Sequence, residues 1–496
     1  MERSGTVLAE VKKNYGQVMN YINGRWIASE SGQVLDVVNP ATGEVIAVVP
    51  LSTVGEVKEA VKAAQEAFWE WRSTPPLTRA RYLFRLKSLL EDHFEEISRI
   101  LVQEEGKTID ESRGEVRRAV ENVDVATGMA SRMTGYNLED ITNEVDEDCV
   151  RQPIGVFCCV APFNFPAMVP LWFMPYAVAC GDTYVIKPSE QVPLTQNKIL
   201  QLVDEAGFPP GVVNLINGSK EVVDALLESP AVRGVSFVGS SPVARYIYRR
   251  AAEMGKRVQC QGGAKNFMVV MPDANLDKTV STLMTSFYGC AGERCLSGSI
   301  LLPVGGVYEE LRDRFVEAAS KMKVGYGLDE SVQMGPVISK RHMERVLHYI
   351  ENGEAEGAKL LLDGRKVRVE GYPRGNFIGP TVFDEVRPEM TVAKEEIFGP
   401  VAAIMRVESL GRAIDLIHSS PYGNAASIFT SSGKWAREFK YKVQCGNIGV
   451  NIGIAAPVAL FPFGGMKDSF FGDLHGQGGE IVDFFTERKV VISRWF

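Results

Sequence analysis

The chain is 496 residues long, with 45% hydrophobic and 23% charged residues. This length exceeds one ordinary hydrophobic core, so two or three domains are expected, and the composition excludes both a disordered polymer and a protein with many membrane spans. The net charge of −8 argues against a nucleic-acid or anionic-membrane partner, because such partners require clustered positive charge.

Two β-hairpins and three helices are predicted in the first third of the chain. Asn-Gly and Thr-Gly turns indicate hairpins at 21–26 and 33–50. Apolar residues at helical spacing predict helices at 54–73, 77–103 and 109–132. The acidic, β-like segment 136–151 is expected to form a hairpin arm outside the main core.

From Pro153 the pattern changes to strands that alternate with helices. The predicted strands are 154–161, 183–187, 212–216, 232–238 and 257–261. The predicted helices between them are 171–180, 195–206, 221–228 and 243–253. Because crossover helices of this length connect parallel strands, we expect a doubly wound sheet that binds a nucleotide at the carboxyl ends of its strands.

A second α/β region begins near Asn266. Its predicted strands are 269–271, 300–303, 381–383, 401–406 and 427–429. Its predicted helices are 308–322, 340–352, 410–418 and 434–441. The final segment 482–496 is expected to be strand-like.

The uncharged segment 154–181 is long enough to cross a bilayer, but four prolines interrupt it. A buried strand, a turn and the start of a helix are predicted there instead. The N-terminal segment contains no apolar run of signal-peptide length. Eight cysteines are too sparse for a disulfide scaffold, and neither they nor the five histidines have zinc-site spacing. We therefore expect a cytoplasmic protein without a metal site.

Residues 289–299, with the sequence GCAGERCLSGS, hold two cysteines among small residues. Glycine and serine leave room for a ligand near Cys290 and Cys295, and the cation of Arg294 is expected to lower the pKa of a neighbouring thiol. This pattern indicates a nucleophile. An inert core thiol is nevertheless the commoner case for a cysteine in an apolar chain.

Two polar motifs follow predicted strands. Asn164, in the segment FNFP, could stabilise an oxyanion or satisfy the backbone of a proline turn. Lys187 and Glu190, in the segment KPSE, could bind ribose and phosphate or form a surface salt bridge. The carboxylate favours NAD over NADP, because it would repel a 2′-phosphate.

Segment 236–244, SFVGSSPVA, ends a predicted strand and opens a helix. Ser240 or Ser241 is available as its N-cap, and the helix N-terminus would suit a pyrophosphate. A simple well-capped helix explains these residues equally well. No G-x-G-x-x-G fingerprint occurs at a strand–helix turn, so an ordinary Rossmann site is not supported.

Eight motifs follow one another along the chain: APFNFP, IKPSE, FVGSSPVA, GGAKN, GERC, KEEIFGPV, GNIGVN and PFGGMKDS. In order and rough spacing they resemble the NAD(P)-dependent aldehyde dehydrogenase superfamily, over nearly the whole chain. The segments APFNFPAMVPLW, GAKNFMVVMPDAN and GDLHGQG are most similar to the CoA-acylating methylmalonate-semialdehyde dehydrogenases.

The resemblance implies the aldehyde dehydrogenase fold. This fold combines a Rossmann-like, doubly wound parallel-sheet cofactor domain, a second α/β catalytic domain and a small β oligomerisation arm. The cofactor domain would comprise 1–132 and 153–263, the catalytic domain 264–470, and the arm 133–152 and 479–496. The resemblance also implies a homodimer or homotetramer, and an apolar terminal strand that needs a partner edge is in keeping with it.

The resemblance also implies a role for each matching residue. Cys295 would be the nucleophile, and Asn164 with the Cys295 backbone amide would form the oxyanion hole. NAD, or less favourably NADP, would contact Ala161, Pro162, Phe163, Lys187, Ser189, Glu190, Gly239, Ser240, Val243, Glu396 and Phe398. Arg118 and Arg294 would bind a substrate carboxylate. For Arg118, a helix-surface ion pair with Glu115 or Glu121 is the alternative.

Gln261 stands where hydrolytic members carry the glutamate that activates water. Glutamine cannot accept a proton, and no carboxylate occurs from 256 to 272, so water attack on a thioester should be slow. Coenzyme A needs less help, because a thiol is already partly ionised at neutral pH. We therefore expect an acylating enzyme that gives propionyl-CoA or acetyl-CoA. The alternatives are a hydrolytic enzyme that borrows Glu396 or Glu293, and a catalytically silent relative.

Overall fold

The computed structural model describes residues 6–496, so the first five residues of the predicted domain 1–132 lie outside it. Four short strands open the chain: β1 (Asn20–Ile22), β2 (Arg25–Ile27), β3 (Val34–Val38) and β4 (Val45–Pro50). They pair as the two predicted hairpins. Asn23 and Gly24 in the first turn, and Gly43 in the second, have positive φ angles, as the turn sequences indicate.

Five helices follow: α1 (Val54–Ser73), α2 (Pro76–Asp92), α3 (Phe94–Glu105), α4 (Ile109–Thr127) and α5 (Met129–Arg132). Capping boxes at Thr53 and Thr108 start α1 and α4. The prediction of single helices at 77–103 and 109–132 is wrong. His93 and Gly128 leave helical geometry and divide each into two.

The predicted arm segment contains β5 (Tyr136–Thr142) and β6 (Val145–Pro153). The alternating region then holds β7 (Val156–Val160), α6 (Met168–Leu171), α7 (Met174–Cys180), β8 (Thr183–Lys187), α8 (Leu194–Glu205), β9 (Val213–Leu215), α9 (Lys220–Glu228), β10 (Val232–Val238), α10 (Ser241–Glu253) and β11 (Arg257–Gln261). The predicted helix 171–180 is interrupted, because Phe173 is not helical and Pro175 lies in the first turn of a new helix.

The remaining elements alternate similarly up to residue 450. They are β12 (Asn266–Val270), α11 (Leu276–Tyr288), β13 (Gly298–Pro303), α12 (Tyr308–Ser320), α13 (Lys340–Ala355), β14 (Lys359–Leu362), β15 (Thr381–Asp384), α14 (Thr391–Lys394), β16 (Val401–Ile404), α15 (Leu410–Ser419), β17 (Tyr422–Gly423), β18 (Ala425–Phe429), α16 (Gly433–Lys442) and β19 (Asn447–Val450). Helix α11 is absent from the sequence-based prediction.

The C-terminal segment contains β20 (Met466–Lys467), β21 (Phe470–Gly472), α17 (Ile481–Phe485) and β22 (Thr486–Arg494). The prediction of a strand over 482–496 is therefore wrong for its first residues, which form a buried helix. β22 pairs with β6, which pairs with β5, in a three-stranded antiparallel sheet.

Two large sheets form the core. The first has the order β2-β1-β9-β8-β7-β10-β11-β21, in which the five strands from β9 to β11 are parallel. The second has the order β14-β15-β16-β13-β12-β18-β19 and is parallel except at β14. Within residues 6–496, no helix is long and apolar enough to cross a membrane.

Candidate active site

Four predicted motifs lie at the carboxyl edge of the eight-stranded sheet. β7 leads into the segment that holds Asn164, and β8 ends at Lys187. β10 ends directly before Gly239, and β11 ends at Gln261. The strand order reverses between β7 and β10, and ligands of doubly wound sheets bind at such a reversal.

The cysteine segment is held in place by a stretch of backbone with left-handed φ angles. The 3₁₀ turn Gly289–Gly292 follows α11, and within it Cys290 and Gly292 have φ angles of 49° and 76°. A Cβ atom on Gly292 would lie 2.2 Å from the carbonyl oxygen of Gly399, so this position requires glycine. The turn buries Cys290, while Cys295 lies beyond it on the wall of a cavity.

Two asparagine side chains hold the backbone of Cys295. Asn266 Nδ2 and Asn424 Nδ2 donate hydrogen bonds to the Cys295 carbonyl oxygen at 2.8 Å and 2.7 Å. The eight cysteines all lie within residues 6–496, and Cys295 alone is partly exposed. It is therefore the cysteine that a substrate can reach.

Burial dominates the electrostatics of Cys295. Burial raises the pKa of the thiol to about 12, the Glu396 carboxylate adds to the rise, and the Arg294 cation opposes it. The predicted effect of Arg294 is confirmed in its sign, but the pKa is raised overall, because the loss of water around a thiolate outweighs one cation. In this state Cys295 is a neutral thiol at neutral pH.

Cys295 lines a cavity of about 370 Å³ with charged and apolar walls. The ionisable side chains of the lining are Asp110, Glu111, Glu115, Arg118 and Arg294. Its bulky apolar side chains are Phe165, Met168, Trp172, Leu296, Ile454 and Phe463. A cavity of this size with two guanidinium groups suits a small molecule that carries a carboxylate.

Arg294 is oriented by groups other than Cys295. Its Nε lies 3.1 Å from Cys290 Sγ, and its Nη2 lies 3.3 Å from Glu111 Oε1. A Cβ atom on Gly289 would lie 2.6 Å from Arg294 Nη1, so glycine gives the guanidinium its space. Glu111 itself belongs to the capping box of α4 and also accepts the Cys290 N–H at 2.7 Å.

Asn164 connects its own loop to the cysteine segment. Its side-chain Nδ2 donates to the main-chain carbonyl oxygen of Glu293 at 2.8 Å. The main-chain carbonyl oxygen of Asn164 accepts from Lys107 Nζ at 2.7 Å. The side chain therefore does not satisfy its own proline turn, which was the alternative interpretation. One of the two Nδ2 hydrogens is committed to Glu293, and the second is available for another acceptor.

The start of α10 leaves its first amides without a side-chain cap. Ser240 occupies the N-cap position, but its hydroxyl makes no capping hydrogen bond. Ser241 Oγ instead donates to Asp468 O at 2.6 Å and accepts the Gly263 N–H at 2.9 Å. Ser240 is therefore the N-cap residue, as predicted, but without a side-chain bond to the helix, and the free amides of this 13-residue helix suit an anion. Val243, in the first turn, is exposed.

Lys187 and Glu190 form the ion pair that was the alternative interpretation. Lys187 Nζ lies 2.8 Å from Glu190 Oε2, with the lysine buried and the carboxylate partly exposed. The Lys187 carbonyl oxygen accepts the Ala161 N–H at 2.9 Å, which joins the ends of β7 and β8. Pro162 follows Ala161, and Ser189 Oγ accepts the N–H of Gln191 at 3.3 Å within the turn.

Glu396 and Phe398 lie beside the cysteine segment, and Phe163 packs against Phe398. The rings of Phe163 and Phe398 have centroids 5.9 Å apart, and Phe398 has a φ angle of 61°. Glu396 Oε1 accepts the Ala264 N–H at 2.8 Å. Burial raises the pKa of Glu396 to about 7, so this carboxyl group changes charge near neutral pH.

Gln261 is buried at the end of β11. Its Nε2 donates to the Phe463 carbonyl oxygen at 3.1 Å, while its Oε1 has no hydrogen-bond partner within residues 6–496. Glu293 is also buried, and its carboxylate accepts the Ile338 N–H at 3.3 Å and lies 3.4 Å from His342 Nε2. Burial raises the pKa of Glu293 well above its ordinary value.

Residues 26–491 match the model of the aldehyde dehydrogenase family. The chain belongs to this family. It is 49% identical over 479 residues to malonate-semialdehyde dehydrogenase 2 of Geobacillus kaustophilus, covering 96% of this chain and 98% of the relative. Malonate-semialdehyde dehydrogenase of Halalkalibacterium halodurans is 46% identical, with 97% and 98% coverage.

Solved structures agree with this assignment. Methylmalonate-semialdehyde dehydrogenase from Oceanimonas doudoroffii superposes with a TM-score of 0.95 at 45% identity, covering 97% of this chain and 98% of the other. A Sinorhizobium meliloti protein described as a methylmalonate-semialdehyde dehydrogenase, complexed with NAD, gives 0.95 at 40% identity with the same coverage. The predicted fold is confirmed, and the chain is an aldehyde-oxidising enzyme rather than a catalytically silent relative.

In this aldehyde dehydrogenase, Arg118 both lines the cavity and forms an ion pair. Its Nη1 lies 3.1 Å from Glu121 Oε2, and both side chains are more than a third exposed. An ion pair so exposed contributes little to stability, so a substrate carboxylate can compete for the guanidinium. The alternative pairing with Glu115 does not occur, because that carboxylate binds Lys107.

Sequence-based reasoning missed several polar residues of the dehydrogenase site. Asn266 and Asn424 hold Cys295, Glu111 holds Arg294, and Lys107 holds Asn164. Asn266 lies in the motif GGAKN, which was noted only for resemblance. Lys107 lies in the segment EEGKT, where a cation after a helix end was the available signal.

Proposed function

We propose that this enzyme oxidises malonate semialdehyde or methylmalonate semialdehyde through a thioester on Cys295. The observation that carries the proposal is the cavity that Cys295 lines together with Arg118 and Arg294. A semialdehyde of this class offers a carbonyl carbon to the thiol and a carboxylate to the guanidinium groups. The names of the Geobacillus and Oceanimonas relatives support the same substrate class.

NAD is the proposed oxidant. The free amides at the start of α10, next to Gly239, suit its pyrophosphate, and Lys187 with Glu190 suits the adenosine ribose. Glu396 would hold the nicotinamide ribose, with the rings of Phe163 and Phe398 beside the nicotinamide. When bound, NAD accepts a hydride, and its positively charged ring favours the thiolate of Cys295. The relative complexed with NAD supports this choice.

Different residues of the site would supply the nucleophile and the donors that stabilise the oxyanion. Cys295 would give its proton to solvent in the cavity, and its sulfur would attack the aldehyde carbon, so that the carbonyl oxygen becomes negative. The free Nδ2 hydrogen of Asn164 and the Cys295 N–H would stabilise that oxyanion. Loss of a hydride with its two electrons then leaves a thioester on Cys295.

Gln261 favours release of the acyl group by coenzyme A. Glutamine cannot take a proton from water, whereas a thiol attacks the thioester with little assistance, and the Cys295 thiolate leaves. For a malonate-type semialdehyde, loss of the carboxylate as carbon dioxide, with uptake of one proton from solvent at the carbon left behind, would give acetyl-CoA or propionyl-CoA.

Product analysis with and without coenzyme A tests the proposal. NADH and products are measured by absorbance and mass spectrometry for malonate semialdehyde, methylmalonate semialdehyde and a neutral aldehyde of similar size. We expect an acyl-CoA product, and only a single turnover of NADH when coenzyme A is omitted. Free acid formed at full rate without coenzyme A would refute the acylating reaction, and equal rates for the neutral aldehyde would refute the substrate class.

A hydrolytic reaction is the second candidate, favoured by Glu396. Its carboxyl group has a pKa raised by burial to about 7 and interacts electrostatically with Cys295. As a carboxylate above pH 7, it could take a proton from a water molecule that attacks the thioester. In that case Glu396→Gln would abolish formation of free acid.

We also propose the predicted division into a cofactor domain, a catalytic domain and an arm, and an assembly of two or four chains. The arm sheet of β5, β6 and β22 exposes Tyr136, Leu138, Val490 and Ile492, a surface that a second copy would cover. Eight unpaired cysteines are in keeping with a reducing, cytoplasmic location.

A further inference from the structure

A buried ion pair lies directly behind the loop that carries Asn164. Lys107 lies in the turn between α3 and α4, and Glu115 lies on α4 two turns further on. We propose that Lys107 and Glu115 are positioning residues that hold the amide of Asn164 in its oxyanion-binding orientation. This inference depends on the proposed role of Asn164.

Lys107 makes its contacts without access to water. Its side chain has no exposed surface, and its Nζ donates to Glu115 Oε2 and to the Asn164 carbonyl oxygen, each at 2.7 Å. Nζ also lies 4.1 Å from the ring centroid of Phe165 and 3.7 Å from Glu105 Oε1. The ammonium group is therefore fixed by acceptors on two elements and a ring of the loop itself.

Glu115 holds the other end of the same loop. Its second oxygen, Oε1, accepts the N–H groups of Ala167 and Met168 at 2.8 Å and 3.1 Å. Lys107 and Glu115 thus bind the loop at residue 164 and again at residues 167 and 168. Pro166 further restricts the backbone between these points, and Pro162 restricts it two residues before Asn164.

The energetics of buried charges support a role beyond packing. Removing two charges from water is costly, and well-packed apolar side chains of similar size often stabilise a fold equally well. The ion pair makes directional hydrogen bonds to three backbone groups of one loop, those of Asn164, Ala167 and Met168, which an apolar pair cannot make. Those bonds, with the bond from Asn164 to Glu293, leave one Nδ2 hydrogen with a fixed direction.

The size of the expected effect follows from the role of that hydrogen. Removal of one oxyanion donor lowers a rate by about 10²–10³-fold, and a donor that is present but misplaced retains part of its effect. Loss of the ion pair should therefore slow the step that forms the oxyanion by about 10–100-fold.

The test uses the full-length double variant Lys107→Met/Glu115→Gln. Both charges of the hydrogen-bonded pair are removed together, and the glutamine oxygen still accepts the Ala167 and Met168 N–H groups, so folding is preserved better than in a single variant. Glu105 also loses its neighbouring cation. Burial already raises the pKa of Glu105 to about 7 against the opposing charge of Lys107, so without Lys107 this carboxyl group is neutral at pH 7. Stopped-flow absorbance measures the first-turnover NADH burst at saturating semialdehyde. Alkylation of Cys295 by iodoacetamide, NAD affinity and the melting temperature are measured alongside, since none of them needs an oxyanion.

We expect the burst to slow by about 10–100-fold, with alkylation and NAD affinity changed less than twofold. Glu104→Gln is the matched control, because it also replaces a buried carboxyl group that accepts two backbone N–H groups, those of Leu194 and Thr195. It should leave the burst unchanged.

Asn164→Ala separates the two proposals. If Asn164→Ala leaves the burst unchanged, the oxyanion role fails and the present inference fails with it. If Asn164→Ala slows the burst but the double variant does not, only the positioning role is refuted. If alkylation slows as much as the burst, the ion pair is structural, which also overturns the inference. Addition of Lys107→Met/Glu115→Gln to Asn164→Ala should slow the burst no further than Asn164→Ala does alone, because no donor is then left to misplace.

Discussion

Substitution of Gln261 by glutamate tests whether this one amide prevents hydrolysis of the thioester. Gln261 Nε2 donates to the Phe463 carbonyl oxygen, and its Oε1 is buried without a partner among the described residues. A carboxylate in the same buried place would face that carbonyl oxygen. Both effects favour the protonated acid, which can donate to the carbonyl where a carboxylate cannot.

Other buried carboxyl groups of the chain give the expected scale. Burial raises the pKa of Glu396 to about 7 and that of Glu104 to about 8. A glutamate at 261 with a pKa of about 8 would be roughly one-tenth ionised at pH 7. Since general-base assistance is worth about 10²–10⁴-fold, hydrolysis at pH 7 should accelerate by about 10–10³-fold. The rate should rise about fivefold more by pH 8, as the carboxylate forms.

The assay follows decay of the acyl-enzyme in the absence of coenzyme A. The thioester is formed with NAD and semialdehyde, quenched in acid at intervals, and measured by intact-mass spectrometry from pH 6 to 9. Gln259→Glu is the matched control, because Gln259 is buried on the same face of β11, also with a free Oε1. Equal decay in the wild type and in Gln261→Glu, or acceleration in the Gln259 control, would refute the reasoning.

Three further predictions concern individual side chains. Arg294→Ala should lower kcat/KM for malonate semialdehyde by about 10–100-fold and leave a neutral aldehyde within a few-fold, and an equal loss for both would contradict carboxylate binding. Cys295→Ser should abolish NADH formation in a burst assay, whereas Cys290→Ser should retain it. The reverse pattern would identify Cys290 as the nucleophile. Glu190→Ala should narrow the preference for NAD over NADP by about tenfold in fluorescence titrations, and an unchanged ratio would exclude Glu190 from the ribose site.

The elements with local sequence signals were predicted well. The bounds of α1 agree with the prediction at both ends, because Thr53 and Glu56 form a capping box that the helical spacing follows. The predicted helix 77–103 was wrong at His93, where no proline or glycine marks the break between α2 and α3. The position of that break depends on packing against other elements, which periodicity does not encode.

The polar groups that position the site could not be predicted, because their partners are distant in the chain. Lys107 and Asn164 are 57 residues apart, and Asn424 and Cys295 are 129 apart. A motif indicates that an asparagine is available, but the tertiary structure determines what holds it. For Gln261, by contrast, the residue type was enough for the sequence-based argument, because a glutamine side chain cannot act as a base whatever its partners are.

Arg294 illustrates that a residue adjacent in sequence need not place its charged group next to its neighbour's side chain. It directly precedes Cys295, yet its guanidinium lies against Cys290 and Glu111, while Glu396 and burial raise the pKa of the Cys295 thiol. A thiol in this state reacts slowly until a positive charge arrives near it. The proposed NAD carries that charge, so the same arrangement would keep Cys295 unreactive before cofactor binds and leave Arg294 for the substrate. Iodoacetamide should then alkylate Cys295 faster with NAD present than without it, and an unchanged rate would contradict this coupling.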